Sequence, residues 1–175
     1  DSPIKDWGGV GVVGFPNVGG ISGDGAIEGM YQHETCWRCP VACEGLLAAG
    51  KGDFKWERGL RRAEYETQAS FGGLSLNNSA AAVNAANDIC NRYGLDTISA
   101  GAVVAFAIEC FENGILNLED TDGIELRWGD GKAMVAMVEK VARREGLGDV
   151  LADGVEKAAR RIGRGAEKFA VHIGG

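Results

Sequence analysis

No apolar stretch in this chain approaches the roughly 20 residues that a membrane-spanning helix requires, and no charged-then-apolar signal segment opens it. Membrane insertion and secretion drop out on that reading, which points to a cytoplasmic protein. Positive charge is scarce as well. Against 25 Asp and Glu stand 18 Lys and Arg, for a formal charge of -7, and nowhere do the cations gather among aromatics. Nucleic acid and anionic membrane are therefore poor partners. There is no internal repeat. An initiating Met is missing too, and the chain stops at His172-Ile173-Gly174-Gly175 without a polar tail, so it reads as a fragment or processed piece of something longer. What is present, 45% hydrophobic and 25% charged over 175 residues, is the composition of one folded domain large enough to bury a core.

Glycine and apolar β-branched residues crowd Gly8 to Gly25, which predicts a loop-rich leader of turns and a short strand over residues 1–30. Gly9-x-Gly11-x-x-Gly14 has the spacing of a dinucleotide-binding fingerprint, but that motif must close a strand and open a helix. Pro16 follows instead and holds the residue before it extended, so the plain turn reading is preferred. Beyond the leader, residues 31–175 read as a helical domain and the whole as a mostly α architecture. Apolar stripes predict helices from about Ser79 to Tyr93, Ser99 to Asn113, Gly131 to Glu145 and Asp149 to Arg161. Asn77, Asn78 or Ser79 is placed to cap the first, and Gly94, Gly114 and Gly146 to end the first three.

Five cysteines lie at 36, 39, 43, 90 and 110. Cys90 and Cys110 fall on apolar helix stripes and read as small core hydrophobes. Cys36, Cys39 and Cys43 form C-x2-C-x3-C with Pro40 after the second. Without a secretory signal, and with an odd count, disulfides are disfavoured. Zinc held by His33 with the three cysteines is one solution of acceptable ligand types. An iron–sulfur cluster is the other, and the close third cysteine and the proline favour it. A [4Fe-4S] cluster needs four thiolates, and with Cys90 and Cys110 assigned to the core the fourth is expected outside this chain.

Three further stretches matter: R-R-A-E-Y-E-T-Q-A-S-F-G-G-L (Arg61 to Leu74), N-R-Y-G-L-D-T-I-S-A-G (Asn91 to Gly101) and A-R-R-E-G-L-G-D-V-L-A-D-G (Ala142 to Gly154). Together with C-W-R-C-P-V-A-C, R-W-G-D at Arg127, K-F-A-V-H-I-G-G at the end and S-P-I-K-D-W-G near the start, in this order, they resemble the middle of the aldehyde ferredoxin oxidoreductase family of tungsten enzymes. The resemblance covers nearly the whole chain. It implies the family's middle helical domain, and a cytoplasmic, anaerobic oxidoreductase converting aldehydes to carboxylic acids with ferredoxin or an electron-transfer subunit as acceptor, acting as an oligomer. Within the family it leaves open a tungsten subunit like that of the class II benzoyl-coenzyme A reductases, acting on an aromatic acyl-thioester. A zinc-stabilised helical interaction module is the reading from another class.

Residue by residue, the resemblance makes Cys36, Cys39 and Cys43 ligands of a [4Fe-4S] cluster. Asn91, Gly94, Leu95 and Asp96 match the first D-x-x-G-L-(C/D) motif for a tungsten bis-pyranopterin (tungstopterin) cofactor of the molybdopterin type. Asn91 stands where the motif has Asp, keeping an acceptor oxygen without the charge. Glu66 matches a glutamate near tungsten and becomes the expected catalytic proton donor or acceptor. Without the family, Glu66 would read as a carboxylate paired with Arg61 or Arg62, and Asn91 to Asp96 as a glycine-stopped helix followed by a cap. The second pterin motif would lie beyond Gly175, so the chain alone is expected to be inactive.

Overall fold

The computed structural model describes residues 3–173; Asp1 and Ser2, and the closing Gly174-Gly175 of K-F-A-V-H-I-G-G, lie outside them. Ser79 caps helix α4 (Ala80–Tyr93; α1 to α3 are short and are described below), its hydroxyl accepting from the Ala82 N–H at 3.2 Å. The helix ends at Gly94, whose φ of 72° is the left-handed value a glycine reaches without strain. Asp96 then caps α5 (Thr97–Glu112), accepting from the Ser99 N–H at 2.6 Å. Helix α5 therefore begins two residues before the position the apolar stripe indicated, because the cap is Asp96. Asp130 caps α6 (Gly131–Arg143) through the N–H groups of Lys132 and Ala133. Phe106, Val104, Met137 and Val138, with Phe71 and Leu151, are wholly buried where these helices meet. Cys90 and Cys110 are buried in the same core.

Two expectations are corrected here. Helix α6 stops at Arg143, before Gly146, because Arg144 itself turns left-handed (φ 54°), its guanidinium held by Asp149 at 3.2 Å and Asp153 at 2.8 Å. The single helix expected over Asp149 to Arg161 is two, α7 (Leu147–Leu151) and α8 (Val155–Ile162). Gly154 breaks it with φ 93° and ψ 163°, a conformation that a Cβ would oppose.

The glycine-rich head holds α1 (Gly11–Gly14), a 3-10 turn (Val18–Ile21) and α2 (Gly23–Ile27), with no strand. Strands occur later and were not anticipated. β1 (Met30–Glu34), β2 (Glu44–Leu47) and β3 (Leu60–Arg61) form an antiparallel sheet in that order. After β3 comes α3 (Tyr65–Gln68), running without a break into a buried π-helical segment (Ala69–Leu74). Helix α5 crosses this segment closely: a Cβ on Gly101 would fall 1.9 Å from Ser70 Oγ, and that hydroxyl donates to the Ile98 carbonyl at 2.9 Å. The architecture is mostly α with a three-stranded sheet, and no helix among the described residues is long and apolar enough to cross a membrane.

The segment before α1 straps onto this frame. Lys5 and Asp6 donate their N–H groups to Gly73 and Leu74 carbonyls at 3.1 and 3.0 Å, and Lys5 Nζ lies 3.3 Å from Glu112. Asp6, only 5% exposed, sits against Glu109 on α5. Burial, then the hydrogen bond and like charge of Glu109, push its carboxyl up from 3.8 to about 8. The folded protein thus binds a proton there that the unfolded chain releases above about pH 4, so this contribution to stability falls as pH rises from about 4 to 8. Asp6→Asn, which keeps a donor toward Glu109 and removes the ionisation, is expected to flatten that slope. Its melting temperature, measured beside the wild type from pH 5 to 9, should gain on the wild type with pH up to about 8 and then hold a constant offset.

Candidate functional site

The three clustered cysteines occupy the connection between β1 and β2, closed at its base by the Glu34–Glu44 pair. Within it the Cys39 N–H donates to the Cys36 carbonyl at 2.9 Å, and the Thr35 hydroxyl lies within hydrogen-bond reach of the Cys36 and Cys39 carbonyls. Arg38 and Ala42 take left-handed φ values of 60° and 50°. All three thiols are free; Cys36 and Cys43 are exposed and Cys39 half-buried. Three accessible soft donors on one connection suit iron in type. Their side chains are not gathered, however: among the described residues no group of three His, Cys, Asp or Glu is placed to hold a metal ion. His33, on β1 opposite Gly45, adds no such group. Cys90 and Cys110 offer poor alternatives, since burial, first of all, pushes each thiol up to about 12 and thiolate is the ligating form.

Beside the cysteine connection lies a cavity of about 650 Å³. Cys43, Arg62, Glu64, Tyr65 and Gln68 form one wall, and residues of the glycine-rich head form the other. Arg62 ties the two chemistries together, its guanidinium donating to the Cys43 carbonyl. Gln68 is fixed by donating to the Ala63 carbonyl at 2.8 Å. Glu44 and Glu64 meet carboxyl to carboxyl; that hydrogen bond, then burial and the Glu64 charge, raise the Glu44 carboxyl against the pull of Arg61 and Arg62. Arg61 Nη1 stands 3.5 Å from Glu44 Oε2, in ion-pair range but without hydrogen-bond alignment. Glu64 stands two positions before Glu66 in the sequence. Nothing in the spacing marked Glu44 as its partner.

Glu66 is exposed in the first turn of α3 and does not line the cavity. It forms no ion pair among the described residues: Arg61 binds Glu34 and Glu44, and Arg62 reaches backbone carbonyls. The next residue, Thr67, is buried, with its hydroxyl 2.8 Å from that of Thr97. Thr97 directly follows the Asn91–Asp96 motif, so the turn bearing Glu66 is fastened to the end of that motif. Within it Asn91 is exposed near the end of α4, Gly94 makes the left-handed turn, Leu95 packs half-buried on the core and Asp96 caps α5. Polar groups just past the motif are engaged within the protein, since Thr97 meets Thr67 and the Ser99 N–H is taken by Asp96. Thus α3 has the cavity and Cys43 on one side and the 91–96 motif on the other, while Cys36 and Cys39 line neither.

A family model described as aldehyde ferredoxin oxidoreductase, domains 2 and 3, matches residues 1–175. The chain belongs to the aldehyde ferredoxin oxidoreductase family. Over 131 residues it is 33% identical to a tungsten-containing aldehyde ferredoxin oxidoreductase of Pyrococcus furiosus, covering 73% of this chain and 20% of that protein. It is 34% identical over 142 residues to the WOR-like subunit of an aliphatic sulfonate oxidoreductase from the same organism, covering 78% and 22%. Among solved structures it resembles the active site complex BamBC of benzoyl coenzyme A reductase in complex with 1,5 dienoyl-CoA. That match has a TM-score of 0.68 at 27% identity, over 84% of this chain and 21% of the other. The chain therefore spans about a fifth of the length of the relatives it matches, and its relatives in this family are oxidoreductases, several of them tungsten-containing by name.

Proposed function

We propose that this chain is the cofactor-binding middle of an oxidoreductase that converts aldehydes to carboxylic acids and delivers electrons to ferredoxin. The balance is RCHO + H2O → RCOOH + 2H⁺ + 2e⁻. Residues 1–30 serve as its leader and 31–175 as its helical domain. The observation that carries the reading is the placement of α3, between a cavity walled by Cys43 and the motif at 91–96. Cys36, Cys39 and Cys43 would hold a [4Fe-4S] cluster with a fourth ligand outside this chain, and Asn91, Gly94, Leu95 and Asp96 a pterin of a tungstopterin. When bound, these groups supply the two-electron oxidation and the single-electron transfer that side chains lack.

The chain's own residues hold, orient and move protons. Gly94 lets the backbone turn tightly past the ligand, and Asn91 offers an amide oxygen to an amine of the heterocycle. The Thr67–Thr97 contact fixes the distance between that motif and α3. Glu66, exposed on α3, takes up and releases a proton as the aldehyde is hydrated and oxidised. The likeness to the benzoyl coenzyme A reductase complex favours a second reading, in which the same parts run reductively on an aromatic acyl-thioester.

Anaerobically purified full-length protein is expected to contain tungsten, iron and acid-labile sulfide, and to reduce a viologen dye when given an aldehyde. Dye reduction absent for every aldehyde, with an acyl-thioester consumed instead, would select the second reading. One zinc per chain and no iron would sink both and leave the zinc-stabilised module.

A further inference from the structure

Helix α3, which carries Glu66, is a single turn (Tyr65–Gln68) with no side-chain cap at its start. A turn this short does not sustain itself in water, because the first turn of a helix fixes several dihedrals for one hydrogen bond. The Glu66 side chain has no ion pair among the described residues, so its aim is set by the backbone beneath it.

That backbone is held by two hydroxyls three residues apart in sequence and therefore on one face. Thr67, 4% exposed, shares a 2.8 Å hydrogen bond with the Thr97 hydroxyl. Ser70, 2% exposed, donates to the Ile98 carbonyl at 2.9 Å. Thr97 and Ile98 open α5 immediately after the 91–96 motif, and Gly101, further along α5, lets Ser70 come this close. Neighbouring helical residues point about 100° apart, so turning Thr67 onto α5 leaves Glu66 on the flank, exposed. Packing alone does not call for oxygen here. Apolar side chains of the same shape would fill the space with no hydroxyl to satisfy, whereas a satisfied polar pair fixes one arrangement.

We propose that Thr67 and Ser70 are positioning residues for the reaction, clasping the Glu66 turn to the start of α5 so that the carboxyl keeps a fixed register with the 91–96 motif. The inference rests on the aldehyde-oxidising reading and on Glu66 as its proton carrier. It adds that the carboxyl is aimed through its own backbone, by its neighbours, and not by a partner of the carboxyl itself. Misplacing a reacting group by about 1 Å can cost about 100-fold in rate, so loosening the clasp should appear in turnover.

The test uses the full-length enzyme loaded with tungsten and iron. Thr67→Val keeps the shape of the side chain and removes its hydroxyl, and the half-buried Thr97 can turn its own hydroxyl to water. Its kcat is expected to fall by about 10- to 100-fold with KM and metal content unchanged. Ser70→Ala should behave in the same way, and Thr67→Ser, which restores the hydroxyl, should recover most of the loss. In a Glu66→Gln background Thr67→Val should cost nothing further, because the group being aimed is already gone. Metal-free protein gives a reading independent of turnover: the amides of residues 66–70 and 97–101 should exchange faster together in Thr67→Val and not in Thr67→Ser. Wild-type kcat in both Thr67→Val and Ser70→Ala, an equal loss with and without the Glu66 carboxyl, or unchanged amide exchange would each overturn the clasp while aldehyde oxidation stands. Glu66→Gln turning over like the wild type would remove Glu66 from the chemistry and this inference with it. A wild-type enzyme that oxidises no aldehyde would overturn the functional reading on which both depend.

Discussion

Glu66→Gln in the full-length enzyme should lower aldehyde turnover by roughly 10²- to 10⁴-fold, the usual contribution of a general acid or base, while tungsten and iron contents stay near those of the wild type. The amide preserves the size of the side chain and removes only its ability to carry a proton. Glu66 is suited to such isolation of effects because no ion pair depends on it among the described residues, Arg61 and Arg62 being engaged elsewhere. A lost carboxylate therefore orphans no buried cation, and the fold should not register the change. Turnover equal to wild type with metal in place would remove Glu66 from the chemistry. Glu64, which lines the cavity and hydrogen-bonds Glu44, would then be the first carboxyl to substitute.

Cys39→Ser is expected to abolish cluster iron, because a neutral hydroxyl replaces a soft thiolate in the middle of the C-x2-C-x3-C array. Cys90→Ser is expected to keep iron and to melt earlier, since it places a hydroxyl in a fully buried apolar site. Iron and sulfide per chain, with the melting temperature of each variant, separate the two. Equal iron loss in a folded Cys90→Ser protein would mean that Cys90, for all its burial, reaches the cluster. The contrast also bears on the ungathered thiols: an array whose side chains converge only around iron should leave the melting temperature of metal-free Cys39→Ser close to that of the metal-free wild type.

How legible this protein was depended on whether each feature is written locally. Helix α4 was readable at both ends because Ser79 and Gly94 act within one turn of the residues they cap. Helix α5 was readable in its apolar body but not in its start, because Thr97 and Ile98, the first helical residues after the Asp96 cap, are not buried and fall outside the apolar stripe. The break between α7 and α8 was missed because the Val150, Leu151, Val155 and Ala158 stripe continues in phase across Gly154. The sheet escaped notice for a different reason. Its strands are two to five residues long, and β1 is largely exposed with no apolar alternation to betray it. Cysteine spacing and the 91–96 motif could be read from the sequence because their residues are neighbours in it. The cavity could not, because it forms between Val12 to Ile27 and Cys43 to Gln68, and only folding introduces those segments to each other.

The crossing of α5 over the π-helical segment shapes what a saturation-mutagenesis map of this protein would look like. With Ser70 Oγ occupying the place of its missing Cβ, Gly101 has no conservative replacement: alanine, the mildest change on paper, must push apart two buried elements. Such a map would score position 101 among the least tolerant although glycine brings no chemistry of its own. Exposed Glu66, in contrast, would pass any screen for folding and fail only one for turnover. Intolerance in this fold therefore marks where backbones touch, and the reactive residues emerge from the difference between a map of abundance and a map of activity.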